Sequence, residues 1–175
     1  VAEGGGNRRI DRILRPEFTA GLAELSLAEL RERRDECLAE REYLSLLRRL
    51  VQGRVEILKA EIERRGGGDQ SPLVERLATI LAGEPQGSAR GEAVRVGVPE
   101  EEMLLARRRV ERLVADAGLS DPTALDDDRL GRAVDLLASE EREVSERRTA
   151  VISVLDRLQD ELKRRYKEDP SRVLS

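Results

Sequence analysis

The chain has no histidine and no tryptophan, one cysteine, and only three aromatic residues, Phe18, Tyr43 and Tyr166. Each shortage excludes something. Without histidine, the commonest general base and the commonest zinc ligand are both missing. A single thiol, Cys37, cannot close an intrachain disulfide; on a helix face it reads as core filler. Aromatics at 2% leave little to build a wide globular core, whereas a narrow seam of Leu, Val, Ile and Ala does without them. No apolar run reaches roughly 18 residues, so no membrane span is expected. No signal peptide is visible, and the expected compartment is the cytoplasm. The net charge is −4, from 32 basic and 36 acidic residues. Direct DNA binding calls for a basic domain and is not expected.

What is present is an even mixture of 39% charged and 39% apolar residues over 175 positions. Rich in Ala, Glu, Leu and Arg, it has the composition of long helices and coiled coils. The expected fold is all-α: a long antiparallel two-helix coiled coil, with short helices and a loop between the two long helices. The expected organisation is a flexible N-terminal arm at 1–25, a first long helix at 26–65, short helices and a loop at 66–126, a second long helix at 127–168, and a tail at 169–175.

The punctuation supports those boundaries. Residues 1–7 read as a flexible end, and residues 8–20 as a short basic helical arm broken at Pro16. Ser26-Leu27-Ala28-Glu29 is a capping box, in which hydroxyl and carboxylate each satisfy an orphan amide. The helix it opens stops at Gly66-Gly67-Gly68, where glycine permits a left-handed cap; its length is about 60 Å. Ser71-Pro72 opens a shorter helix to about Ala82, and residues 83–98 read as a loop. Pro99 with Glu100-Glu101-Glu102 opens a third helix that ends at Gly118, the acidic residues favouring its positive end. Asp126 caps the second long helix. The short helices are expected to bury Leu73, Leu77, Ile80, Leu81, Leu104, Leu105, Val110, Leu113 and Val114.

Both long helices carry a four-three spacing. In the first it runs Leu30, Arg34, Cys37, Arg41, Leu44, Arg48, Val51, Val55, Leu58, Ile62 and Arg65. In the second it runs Leu130, Val134, Leu137, Glu141, Val144, Arg148, Val151, Leu155, Leu158, Leu162 and Arg165. This is a coiled-coil pattern. The antiparallel arrangement follows from topology, because it lets residue 65 end near residue 127 with the insert packed locally. The helices also repeat each other at an offset of 100 residues: Ser45 with Ser145, Arg48 with Arg148, and Glu61, Arg64 and Arg65 with Glu161, Arg164 and Arg165.

Arginines on an apolar line need a reason, since a buried guanidinium without a partner costs several kcal/mol. Arg48 and Arg148 either snorkel past the seam or pair with Glu141, or else both face an anion from outside the chain. The polar positions continue as a stripe. Ser45, Arg48, Gln52 and Glu56 lie along one helix, and Glu141, Ser145, Arg148, Ile152 and Asp156 along the other. Offsets of 4, 7, 11 and 15 residues keep such side chains within a strip of ~80° over ~22 Å. The chemistry suits a purine nucleotide: carboxylate for the guanine edge, arginine for its O6 and N7 or its ring face, and serine and arginine for phosphate. Two such stripes suit a two-fold ligand.

The stripe resembles the pattern E-x3-S-x2-R-x3-Q-x3-D of the actinobacterial RsiG anti-sigma factors. The similarity includes Arg8-Arg9-Ile10-Asp11-Arg12, the run from Leu44 to Arg54, and the run from Glu141 to Arg148. The resemblance implies two motifs on an antiparallel coiled coil that hold a dimer of cyclic di-GMP. It also implies that the loaded protein sequesters a WhiG-type sigma factor, a regulator of sporulation. Two motifs in one chain look like the dual-motif branch, which implies a monomer apart from the sigma complex. Ser45, Arg48, Gln52, Glu141, Ser145, Arg148 and Asp156 carry over directly as ligand-binding residues, and Glu56 keeps the acceptor with one methylene more. Arg41 stands where the family has Glu, so the family role does not transfer and the residue is expected to meet phosphate. Ile152 stands where it has Gln and is expected to pack. The arm at 8–20 is then either a sigma contact or a disordered tail.

Two other classes compete with this reading. A coiled-coil adaptor or anti-sigma protein without nucleotide control would bind its partner fully without ligand. An enzyme would need a pocket around carboxylates such as Glu141 and Asp156, and nothing in the sequence shapes one.

Overall fold

The computed structural model describes residues 8–66, 97–116 and 121–174. The expected helix over 71–82, residues 83–96 of the expected loop, and the helix end at Gly118 lie outside the described residues. Among the described residues, four α-helices follow in chain order: α1 (Arg9–Ile13), α2 (Leu27–Arg65), α3 (Glu100–Asp116) and α4 (Asp127–Glu168). The described residues are helical or connecting, and the two long helices, α2 and α4, pack against each other with α3 between them in the chain. Among the described residues, no helix is long and apolar enough to cross a membrane.

The helix ends follow local chemistry. The Ser26 hydroxyl accepts from the Glu29 amide at 3.1 Å, and the Glu29 carboxylate accepts from the Ser26 amide at 2.7 Å. That is the reciprocal box the spacing requires. Hydrogen bonding from the Ser26 amide, joined by its hydroxyl, holds the Glu29 carboxyl below its usual range. At the start of α4, Asp126 accepts from the Arg129 amide at 2.8 Å.

The chain forms two compact units, residues 1–44 with 146–175, and residues 45–145. In the first, Leu30, Cys37 and Leu44 of α2 are buried, as are Val151, Leu155, Leu158 and Leu162 of α4. Each large aliphatic side chain withdrawn from water contributes about 1.5–3 kcal/mol. Arg31, near the start of α2, donates to the Tyr166 hydroxyl near the end of α4 at 3.1 Å, so the segments run antiparallel. The segment read as an N-terminal arm is packed in this unit over residues 8–25. Ile13 is wholly buried and Ile10 and Phe18 nearly so. Arg9 donates to Glu40 at 2.6 Å and Arg12 pairs with Glu36.

In the second unit, Leu47, Val51, Val55 and Leu58 of α2 are buried, with Leu130, Ala133, Leu137 and Val144 of α4. Ala106, Val110 and Val114 of α3 are buried too, and Arg109 of α3 donates to Glu140 at 2.6 Å. Three expectations are corrected here. Leu104 and Leu105 are exposed, at 45% and 54%, because α3 turns Ala106 and Val110 inward instead. Ile62 is 41% exposed, and Glu61 is buried in its place. On this part of α2, Ile57 and Leu58 line a small gap with Val114 of α3 and Pro122.

The 100-residue repeat extends to the helix starts. A short 3-10 turn, Leu22–Glu24, precedes the Ser26 cap, and another, Pro122–Ala124, precedes the Asp126 cap. In the first unit Arg165 donates to the carbonyls of Leu22 and Ala23 at 2.8 and 3.1 Å. In the second, Arg65 donates to the carbonyls of Pro122 and Thr123, both at 3.2 Å. The carbonyls of Leu22 and Pro122 also accept from the Leu25 and Leu125 amides at 3.3 and 3.4 Å, and in each unit a guanidinium from the far end of the opposite helix adds a donor to that turn.

Candidate functional site

The stripe residues divide between the two units. Ser45, Arg48, Gln52, Glu56, Glu141 and Ser145 lie in one; Arg41, Arg148, Ile152 and Asp156 lie in the other.

In the unit 45–145, three of the residues singled out by sequence come together. Gln52 follows Arg48 by one helical turn, so both side chains leave α2 on the same side. Gln52 Nε2 donates to Glu141 Oε1 of α4 at 2.7 Å. The same carboxylate oxygen lies 3.9 Å from Arg48 Nε, an ion pair too long for a hydrogen bond. Arg48 Nε is itself buried and has no hydrogen-bond partner. The rest of the side chain is accessible, since the Arg48 side chain as a whole is 41% exposed. A shielded N–H without an acceptor costs about 1–3 kcal/mol. Of the readings open at the sequence level, pairing with Glu141 is realised, but only as a long contact that leaves the donor unsatisfied. The arrangement can accept an oxyanion, whose oxygens would supply the missing acceptor. Ser45 and Ser145 are half-buried, and exposed Glu56 lies 3.9 Å from Lys59.

In the other unit, Arg148 and Ile152 are half-buried and Asp156 is exposed. Arg41 is half-buried and donates to Glu42 Oε1 at 3.2 and 2.9 Å. Its guanidinium is engaged by its own neighbour in the chain.

Sequence reasoning noted the Glu-x2-Arg-Arg repeat without giving it a role. Glu61 accepts from Arg64 at 2.9 and 2.7 Å and from Arg65 at 2.9 Å. Glu161 accepts from Arg164 at 3.0 and 2.7 Å and from Arg165 at 2.8 Å. Hydrogen bonds from Arg64, joined by Arg65, hold the Glu61 carboxyl down at about 2 against the opposing effect of burial. Arg164 and Arg165 do the same for Glu161, also to about 2. Each carboxylate thereby orients the arginine that reaches the turn carbonyls. The signal was in the sequence: two identical Glu-x2-Arg-Arg strings at helix ends, where a guanidinium favours the negative end of the dipole.

The fold and the cluster define a class first: an antiparallel two-helix coil bearing a charged and amide-lined cluster on its helices. Residues 16–81 match the family model described as RsiG-like. The match covers less than half of the chain and is a similarity over that stretch. The match takes in Arg41, Ser45, Arg48, Gln52 and Glu56; the second motif, from Glu141 to Asp156, lies beyond it. No curated protein matches the chain.

Proposed function

We propose that the chain is a cyclic di-GMP-binding anti-sigma factor that sequesters a WhiG-type sigma factor when loaded with the nucleotide. The observation that carries this reading is the buried, unpartnered Nε of Arg48, 3.9 Å from a carboxylate already bonded to Gln52. A phosphate oxygen gives Arg48 its acceptor. Gln52 and Glu141 offer an amide and a carboxylate to a guanine edge, and Ser45 and Ser145 add hydroxyl donors. The RsiG-like match over residues 16–81 supports the same reading. Arg148 and Asp156 carry the second copy of the motif.

The control operates by linkage. Nucleotide and sigma factor favour the same ordered arrangement of the helices, so each raises the affinity for the other by the same factor. Isothermal titration of the chain with cyclic di-GMP tests the first half. Saturable binding at more than one nucleotide per chain is expected, with a loss of about tenfold or more in Arg48→Ala. Absence of heat in the unaltered protein would remove the nucleotide from the mechanism. A pulldown of the sigma factor with and without nucleotide tests the second half. Arg41, held by Glu42, favours the competing reading of nucleotide-independent binding. Equal capture in both arms would establish that reading.

A further inference from the structure

The unit built from residues 1–44 and 146–175 holds a cleft well separated in chemistry from the stripe. Its volume is about 480 Å³, and Arg12, Arg15, Glu17, Phe18 and Arg33 line it. Three guanidinium groups and one carboxylate line it, and Arg12 is also paired with Glu36. The local structure explains why they converge. Arg12 projects from α1, which buries Ile10 and Ile13 and is tied to α2 by the hydrogen bond from Arg9 to Glu40. Pro16 ends the α1 segment and begins a 3-10 turn, Pro16–Phe18, which places Phe18 in the interior. Arg33 of α2 then lies over the Phe18 ring, 5.3 Å from its centroid, and donates to the Phe18 carbonyl at 2.6 Å. That bond uses one of the five N–H donors of a guanidinium. Arg33 is therefore held in place before any ligand arrives, and little side-chain entropy is lost when one does.

We propose that this cleft docks an acidic segment of the protein partner, with carboxylates seated against Arg12, Arg15 and Arg33. The proposal rests on the anti-sigma reading for the identity of the partner, but not for the chemistry of the cleft. Arg12 pairs with a carboxylate, that of Glu36, and Arg33 donates to a peptide carbonyl, that of Phe18. These are the acceptors that a protein chain presents. A single small anion would be poorly held. Arg12 is 57% exposed, and exposed pairs are weak and screened by salt. A protein segment brings several carboxylates at once and shields them as it docks. Arginine beside an aromatic ring is also the composition of interface anchor points.

The test uses the full chain, two single variants and two probes. With nucleotide-saturated protein, Arg15→Glu should weaken sigma-factor binding about tenfold, and more at low salt. Glu17→Gln removes the one acid lining the cleft and should tighten binding about twofold to threefold. That gain cannot come from a damaged fold. Both variants should keep the unaltered affinity for cyclic di-GMP. Separately, a synthetic Glu-rich helical peptide should bind the chain at low salt and lose binding in Arg15→Glu. Sigma capture that is indifferent to both substitutions overturns the cleft. Inorganic phosphate that displaces the peptide at equal concentration overturns the assignment to a protein segment. If the unaltered chain captures no sigma factor while the peptide still binds, the anti-sigma reading fails and the acidic-segment cleft stands.

Discussion

Glu141 accepts a 2.7 Å hydrogen bond from Gln52, 89 residues earlier in the chain. That bond directs the carboxylate to the amide and leaves Arg48 Nε 3.9 Å away, shielded and without an acceptor. The helices are thus paired around a donor that packing alone does not satisfy.

If that donor is an energetic liability, removing it should help the ligand-free protein. Arg48→Leu is expected to raise stability by up to about 1 kcal/mol, the lower end of the cost of an unsatisfied buried donor. Urea unfolding without nucleotide measures it. Gln52→Leu should act in the opposite direction, since it strips Glu141 of its one hydrogen bond in the cluster. A destabilised Arg48→Leu would mean that the 3.9 Å pairing outweighs the missing bond.

The two arginine clasps should matter more than ordinary surface arginines. Arg165→Ala leaves two turn carbonyls and Glu161 without that donor, and Arg65→Ala does the same for Pro122, Thr123 and Glu61. Each is expected to cost about 1–3 kcal/mol in thermal or urea unfolding. Arg164→Ala, whose side chain reaches only acids of its own helix and is half-exposed, should cost less than 1 kcal/mol or so.

Acid should loosen the protein in a defined window. Glu61 and Glu161 titrate at about 2 in the folded chain, against 4.5 ordinarily. The unfolded chain therefore binds these protons more readily, and stability rises with pH between those values. The contribution is complete above pH 4.5 and disappears as pH falls toward 2. Chemical unfolding at a series of pH values should show this slope. Glu61→Gln should flatten it, and a slope unchanged in both Glu61→Gln and Glu161→Gln would assign the acid sensitivity to other carboxylates.

Cys37 should be inert while the protein is folded. Burial, reinforced by the negative charge of Glu40, pushes its thiol up to about 12. At pH 8 the thiolate, the reactive form, is then about one part in ten thousand. Iodoacetamide should label Cys37 in urea and leave it intact in buffer. Rapid labelling of the folded protein would show that α2 opens at this point.

Much of the fold could be read from residues alone. Asp127–Glu168 coincides with the expected second long helix, and the Ser26–Glu29 box opened the first where the hydroxyl and carboxylate demanded. Heptad spacing identified Leu30, Leu44, Val51, Leu130, Leu137 and Leu158 as buried because a two-helix seam depends on local periodicity. It misplaced Ile62, and missed buried Leu47 and Glu61, because both of these lie off the four-three line that a two-helix seam follows. Leu104 and Leu105 were misread for a related reason: α3 has several apolar residues on different faces, and contact with α4 selects among them. In the stripe, the spacing offered pairing of Arg48 with Glu141 as one alternative and did not foresee the bond from Gln52 to Glu141. It could not foresee that Arg41 turns to Glu42, since two adjacent opposite charges have no preferred partner until the side chains are placed.

Helices of repetitive composition can slide. A shift of one heptad, about 10 Å along the axis, would keep the four-three lines of the two helices facing each other. It would carry Arg65 away from Pro122 and Thr123, and Arg165 away from Leu22 and Ala23. The paired clasps therefore act as end-stops. They admit one alignment of α2 on α4, and so fix which polar side chains become neighbours across the coil.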